Sequence, residues 1–378
     1  MFEKFHRFKT KPSIVHVTTV HPWSDNRIYN KMVKMLPAYG YRVSYIAQIP
    51  IDHKNFDDEV TCIRLLPWKG MLGRMLRNIH AFLLCLNKEF KIVHFHDPEF
   101  LPFGLLLKLF GKHVVYDIHE DYFLSILQHE YLPKYLRKSI AWIVKYVEEF
   151  SVRVIIPVLA EQAYLQRFPD SLLVLNYVNS VHHQDDESLN YTPYLNKVHS
   201  NYKRLIYTGV ISENRGAYNH VDLLKSLSHY ELYMIGRCSP EFEKELRKRA
   251  GNDSFRLHMI VSADGMPYSS IENFYKIGGW SWGLALFPDT PHYNQKILTK
   301  FYEYMFYEIP ILCSSFHTWR SFVESNHVGY SVDEKKLIDV AKYVSTESLN
   351  IKHLSMNKNK YTWESQLSKL VKLYHNLI

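Results

Sequence analysis

Lys300 and Glu303 stand in an otherwise apolar and aromatic stretch, residues 298–312. On a helix, a separation of three places both on one face. An ammonium close to a helix N-terminus opposes the helix dipole unless an anion joins it there. A diphosphate is such an anion, and a neighbouring carboxylate can accept two hydrogen bonds from a ribose diol. The same two residues also fit a surface ion pair worth at most about half a kcal/mol. Taken alone, the stretch leaves both readings open. A second anion-binding candidate lies upstream. Gly209 follows the strand-like run 204–208, and Arg215 with Gly216 comes just before a helical segment. Backbone amides at such a turn and a helix N-terminus favour an anion, and Arg215 adds a guanidinium suited to phosphate oxygens.

These residues need elements to hold them. The spacing predicts a first strand over 13–20 and a helix over 26–38, with Ile28, Met32, Met35 and Leu36 on one face and Gly40 as its stop. Further strands are expected at 42–47, 60–66, 91–96, 113–118, 152–157 and 171–175. Helices are expected at 70–89, 99–110, 133–150 and 159–167. Strands separated by crossover-length helices predict a parallel sheet covered on both faces. Residues 179–202 are polar and patternless and read as a linker. The alternation then restarts, with strands at 204–208, 232–235, 283–287 and 309–313 and helices at 221–227 and 298–307. The chain thus divides into 1–178, the linker 179–202, 203–358, and a C-terminal amphipathic helix, 359–378, expected to pack back on the first domain. Two α/β domains of Rossmann-like type in tandem offer a ligand cleft between the C-terminal ends of their sheets.

The bulk properties agree. A chain of 378 residues with 47% hydrophobic and 22% charged residues suits two soluble globular domains. Residues 1–180 hold 23 Lys/Arg against 17 Asp/Glu, so most of the net charge of +8 lies in the first half. That half suits an anionic partner such as a membrane surface or a phosphorylated acceptor. No basic-aromatic motif of a nucleic-acid reader is present, so no nucleic acid is expected. Cys62, Cys85, Cys238 and Cys313 lack metal-ligand or redox spacing and read as free thiols in a reducing cytosol. No signal-peptide core and no membrane-spanning run is legible, so a cytoplasmic protein is expected. No Asp-x-Asp and no His/Cys/Asp set with ligand spacing is present, so no metal is expected; His94 and His96, alternating on a strand end, read as packing residues. Segments 68–84, with Lys69, Arg74 and Arg77, and 131–142 mix basic and apolar residues, as do helices that lie on an anionic membrane.

Lys300, Glu303, Tyr304, Met305 and Pro310 resemble the K-x-x-E-Y-M-x-x-G-x-P segment of family-4 glycosyltransferases, retaining enzymes of the two-domain GT-B fold. His21, Pro22, Asp25, Arg27 and Ile28 resemble the H-P-x-x-D-x-R-I entry of a polysaccharide-synthesis subgroup. His96-Asp97-Pro98 resembles its H-D-P turn, and Asp117, His119 and Glu120 its D-x-H-E turn. Gly209, Arg215 and Gly216 resemble its G-x(5)-R-G phosphate turn. The matches run in order over most of the chain. The resemblance implies an N-terminal acceptor-binding domain and a C-terminal nucleotide-sugar-binding domain. It gives Glu303 the nucleotide ribose, Lys300 and Arg215 the diphosphate with Gly209 at its turn, and His119 the donor sugar. Asp25 and Arg27 would face the diphosphate, and His96, Asp97 and Glu120 would lie on the acceptor side. His119, Arg215 and Lys300 are then the catalytic set. It further implies a UDP or GDP sugar as donor, a glycan or lipid-linked acceptor, and peripheral work at the inner face of a plasma membrane in bacterial surface-polysaccharide synthesis. The alternatives are a two-domain nucleotide-sugar epimerase and an inactive sugar-nucleotide-binding partner. Four positions depart from the family: Gln295 replaces a frequent carboxylate, Val210 an arginine, Glu308 a glycine, and Trp23-Ser-Asp25 a Gly-Gly pair.

Overall fold

The structure is a computed structural model that describes residues 11–51, 58–68, 70–119, 122–128, 133–179, 202–294, 296–333, 335–336, 340–342, 344 and 361–378. The chain forms two compact units, Met1–Asn176 with Trp363–Ile378, and Tyr177–Thr362.

Among the described residues the first unit holds a seven-stranded sheet of β1 (Ser13–Val17), β2 (Arg42–Ala47), β3 (Val60–Arg64), β4 (Phe90–Phe95), β5 (His113–Ile118), β6 (Ile156–Leu159) and β7 (Leu172–Leu173). Their order is β3-β2-β1-β4-β5-β6-β7 and every pairing is parallel. β1 is buried along its whole length because both faces are covered. Val15 and Val17 join one core; Ile14 joins the other, to which the helix Trp363–Leu377 contributes Trp363, Leu367, Leu370, Val371 and Tyr374. That apolar face places the last helix on the first unit.

The second unit holds a six-stranded sheet of β8 (Lys203–Val210), β9 (Tyr230–Arg237), β10 (Leu257–Ser262), β11 (Trp280–Ala285), β12 (Ile311–Ser314) and β13 (Gly329–Val332). Its order, β10-β9-β8-β11-β12-β13, repeats the plan of the first sheet and is also parallel throughout.

Three local expectations change. The helix expected over 26–38 is a π-helical segment, Asn26–Val33, followed by a separate 3₁₀ turn, Leu36–Tyr39, with Pro37 near its start. The strand expected at 152–157 begins at Ile156, because a turn follows the helix Lys134–Ser151, with the amides of Val154 and Ile155 donating to the Ser151 carbonyl. The segment 159–167 holds only a 3₁₀ turn, Gln162–Gln166. The amphipathic periodicity also did not mark β10 or the helices Pro240–Ala250 and Tyr268–Ile277.

The helix Thr299–Phe306 ends in a left-handed residue, Glu308, with φ 57°. The amide of Ile309 donates to the carbonyl of Tyr304, and the amide of Glu308 to that of Met305. This is the Schellman closure, whose left-handed position favours glycine. The departure from the family pattern at this residue is therefore a matter of backbone strain, costing about 1 kcal/mol. Glu308→Gly is expected to raise stability by roughly 0.5–1 kcal/mol after the added entropy of the unfolded glycine is counted. Urea denaturation checks this, and an unchanged or lower midpoint contradicts it.

Candidate functional site

In parallel sheets of this order ligands bind beyond the C-terminal strand ends at the point where the strand order reverses. That point lies between β1 and β4 in one unit and between β8 and β11 in the other. The chemistry-bearing residues gather at both.

In the second unit β8 runs through Gly209 to Val210, two residues further than expected. Gly209 has φ 104°, and a Cβ on Gly236 beside it would lie 2.2 Å from the Gly209 carbonyl oxygen. A 3₁₀ turn, Glu213–Arg215, then leads through Gly216 into the helix Ala217–Lys225. A Cβ on Gly216 would sit 1.9 Å from the Leu286 carbonyl oxygen, and its φ is 72°. Space and conformation both demand glycine next to Arg215.

Lys300 and Glu303 are only 8% and 9% exposed, which rules out the surface ion pair. The Lys300 ammonium donates to the Thr208 carbonyl at 2.7 Å and lies 3.7 Å from the Tyr207 ring centroid. Burial, and then the like charge of Arg215, hold Lys300 well below the usual lysine range; Glu303 opposes this. Glu303 accepts from the Tyr275 hydroxyl at 2.8 Å, and that hydroxyl meets Thr208 Oγ1 at 2.6 Å. Burial first, then the Glu303 charge, push the Tyr275 hydroxyl up, so it stays a neutral donor. Its oxygen therefore accepts from Thr208. One residue, Thr208, thus orients Lys300 through its carbonyl and Glu303 through its hydroxyl. His220 supports the loop opposite by accepting from the Leu286 amide at 3.0 Å. Thr208, Tyr275 and His220 escaped the sequence reading, since the contacts span 28 to 92 positions. Gln295 lies outside the described residues.

In the first unit Asp117 is fully buried at the end of β5. It takes both Arg27 Nε and Nη2, at 2.9 and 2.7 Å, and His96 Nδ1 at 3.2 Å. Burial alone would raise its carboxyl; the Arg27 charge and hydrogen bonds from His119, His96 and Arg27 hold it well below the usual range. Behind it, His96 Nε2 meets His16 Nδ1 at 3.1 Å, His16 Nε2 meets the Tyr374 hydroxyl at 3.4 Å, and that hydroxyl meets His94 Nδ1 at 2.5 Å. In front, His119 lies just past β5. Its Nδ1 faces the Asp117 carbonyl at 3.2 Å and its Nε2 faces His21 Nε2 at 2.9 Å. His21 Nδ1 meets Asp97 Oδ1 at 2.6 Å, and Asp97 Oδ2 accepts from the Thr18 hydroxyl and the Thr19 amide.

Arg27 gives Nε and Nη2 to buried Asp117. Asp25 caps the helix Asn26–Val33, accepting from the amides of Arg27 and Ile28. His96 and Asp97 are 0% and 1% exposed, and their polar atoms have partners within the first unit. Glu120 lies outside the described residues. His96, Asp117 and His119 bring potential ligand atoms within 4.8 Å of one another. Both Asp117 oxygens, however, already face the Arg27 guanidinium, whose charge opposes a cation there.

No family model matches the chain, and no curated protein does. Solved structures do. Sucrose-phosphate synthase from Thermosynechococcus elongatus aligns with TM-score 0.72 at 14% identity, over 97% of this chain and 99% of that one. A glycosyltransferase from Rickettsia africae aligns with TM-score 0.68 at 14% identity, over 98% and 99%. The Anabaena protein HepE, solved in complex with UDP and glucose, aligns with TM-score 0.66 at 11% identity, over 96% and 99%. At these identities the likeness shows the fold: two parallel Rossmann-like sheets, as in GT-B glycosyltransferases.

Burial is the first cause that holds His16, His94, His96 and His220 below the ordinary histidine value of 6.5. Below that pH the unfolded chain binds protons the native state refuses, so stability must fall as pH falls. The expected loss is roughly 1.4 kcal/mol per pH unit for each histidine that stays neutral. Urea midpoints measured downward from about pH 7.5 check this; a flat profile to about pH 5 contradicts it.

Proposed function

We propose that this chain is a glycosyltransferase that takes a sugar from a nucleoside-diphosphate donor, of UDP or GDP type. The observation that carries the reading is Lys300, buried beside Arg215 with Glu303 on the next turn. Two cations held close at a strand end are unfavourable by themselves and favourable around a diphosphate. Such a pair suits the charge that grows on the departing diphosphate, and groups oriented in advance lose little on reaching the transition state. Glu303, held by Tyr275, is set to receive a ribose diol. The Anabaena protein of the same fold, solved with UDP and glucose, supports a donor of this kind. Lys300 and Arg215 supply the charge that a divalent cation gives elsewhere, and on this reading no metal is required. The family-4 sequence resemblance supports retention by front-face attack, in which the departing phosphate oxygen takes the acceptor proton.

The acceptor in this reading is a glycan or a lipid-linked glycan of a surface polysaccharide, reached at an anionic membrane on the cytoplasmic side. Of 21 exposed large apolar residues described, only Val210 and Phe255 belong to the second unit. Met71, Leu72 and Met75 lie on the helix Gly70–Cys85, and Ile143, Tyr146 and Phe150 on the helix Lys134–Ser151. Arg74, Arg137, Lys138 and Lys145 accompany them. Arg77 is buried against the Trp68 carbonyl and takes no part; Lys69 lies outside the described residues. Among the described residues no helix is long and apolar enough to cross a membrane.

Thermal-shift measurements with UDP, GDP, dTDP, CMP and their sugars are expected to give a stabilising hit. Glu303→Ala is expected to weaken it about tenfold or more through the loss of charge-assisted hydrogen bonds, and Lys300→Met to weaken it while leaving measurable binding. No shift with any nucleotide contradicts the reading. The surface proposal has its own test. The chain is expected to float with vesicles containing phosphatidylglycerol at low salt, and to lose most of that binding when Met71, Leu72 and Ile143 are changed to Ser. Equal recovery with and without vesicles contradicts it.

A further inference from the structure

The hydrogen-bond chain in the first unit has a direction, and the direction fails at one junction. His96 Nδ1 faces a carboxylate oxygen of Asp117, so that nitrogen carries the proton. Neutral His96 then accepts at Nε2 from His16 Nδ1, and His16 accepts at Nε2 from the Tyr374 hydroxyl. The Tyr374 oxygen in turn accepts from His94 Nδ1. Every donor behind Asp117 is used once and no extra proton is needed.

The front side cannot be satisfied in this way. His21 Nδ1 faces Asp97 Oδ1 at 2.6 Å, so it is protonated. His119 Nδ1 faces two oxygens of Asp117, the carbonyl at 3.2 Å and the carboxylate at 3.4 Å, and neither can donate. It is protonated too. The remaining nitrogens, the two Nε2 atoms, approach to 2.9 Å. With neutral rings that contact sets lone pair against lone pair. With one added proton it is a hydrogen bond.

We propose that His21 and His119 share one proton between their Nε2 atoms and act as a single monocation, with His21 the positioning residue that fixes the His119 ring. The charge count agrees. Among the described residues the pair faces Asp97 after β4, Asp117 at the end of β5 with Arg27 bound to it, and His96 and His16 behind Asp117. Two carboxylates and one guanidinium leave one negative charge, which the shared proton cancels. Uncompensated buried charge is what such clusters avoid. Asp97 and Asp117 are both held below the usual carboxylate range, so neither supplies that proton itself. The pair is partly open, with side chains 18% and 12% exposed, so its charge can act on a bound molecule. Its catalytic consequence rests on the proposed function: a fixed positive charge offered to a bound substrate, with no bond made or broken at the pair.

Long-range proton–nitrogen NMR on the full chain, labelled with nitrogen-15 in its imidazoles, reads the protonation of each ring nitrogen without any substrate. The His21 and His119 signals are assigned by their loss in His21→Gln and His119→Gln. At neutral pH both rings are expected to show a protonated Nδ1 and an Nε2 averaged between its two states. In His21→Gln the amide can donate to His119 Nε2, so His119 should become an ordinary neutral Nδ1–H ring. Two neutral rings in the wild type, one of them protonated only at Nε2, would overturn the proposal. So would unchanged His119 signals in His21→Gln. A shared proton in a chain that binds no nucleotide would leave the pair standing and remove the functional reading.

Discussion

A lysine ammonium enclosed beside a guanidinium is costly, and the second unit is arranged to tolerate that placement. The Thr208 carbonyl accepts from Lys300, the Tyr207 ring lies under it, and Glu303 opposes the two cations. Each support depends on strand β8 reaching the right height. The close approach of Gly236 to Gly209, and of Gly216 to Leu286, brings β8, β9, β11 and the Arg215 turn to that height. A side chain at either glycine would push the backbone away and part Arg215 from Lys300. Packing at the strand ends and electrostatics at the site are thus one problem with one solution.

The first unit solves a related problem with the opposite charge. Asp117 is a carboxylate with no access to water, and Arg27, His96 and His119 converge on it. Removing one partner of such a buried pair typically costs about 3–5 kcal/mol. The terminal helix enters the same network through Tyr374, so the last residues of the chain help to set the polar core formed by the first strands. His94 and His96, which read in the sequence as packing residues, are packed, and they are also links in a directed chain of donors.

Period and breaker residues made the parallel, two-sheet plan legible, because strand and helix repeats are local signals. They also placed Lys300 and Glu303 on one helix close to where it lies. The π-helical start at Asn26 was not legible. Its register depends on Asp25 capping it and on Arg27 reaching Asp117, a partner 90 positions away. The burial of His96 and Asp97 was hidden for the same reason. Motif position marks which strand end a residue occupies, but not whether it turns toward ligand or inward. Glu308 shows the converse case. The residue departs from the resembled pattern, and the left-handed backbone there gives that departure a local cost.

The central claim is that an anion completes the Lys300–Arg215 pair. Burial and Arg215 lower the Lys300 ammonium from its ordinary value of 10.5, and a bound diphosphate should raise it again. Calorimetric titration of UDP or GDP in buffers of different ionisation enthalpy measures the protons taken up on binding. Uptake is expected wherever the free Lys300 amine is partly neutral and the bound one charged, and is expected to vanish in Lys300→Met. Binding without proton uptake, or with the same uptake in Lys300→Met, would contradict the account.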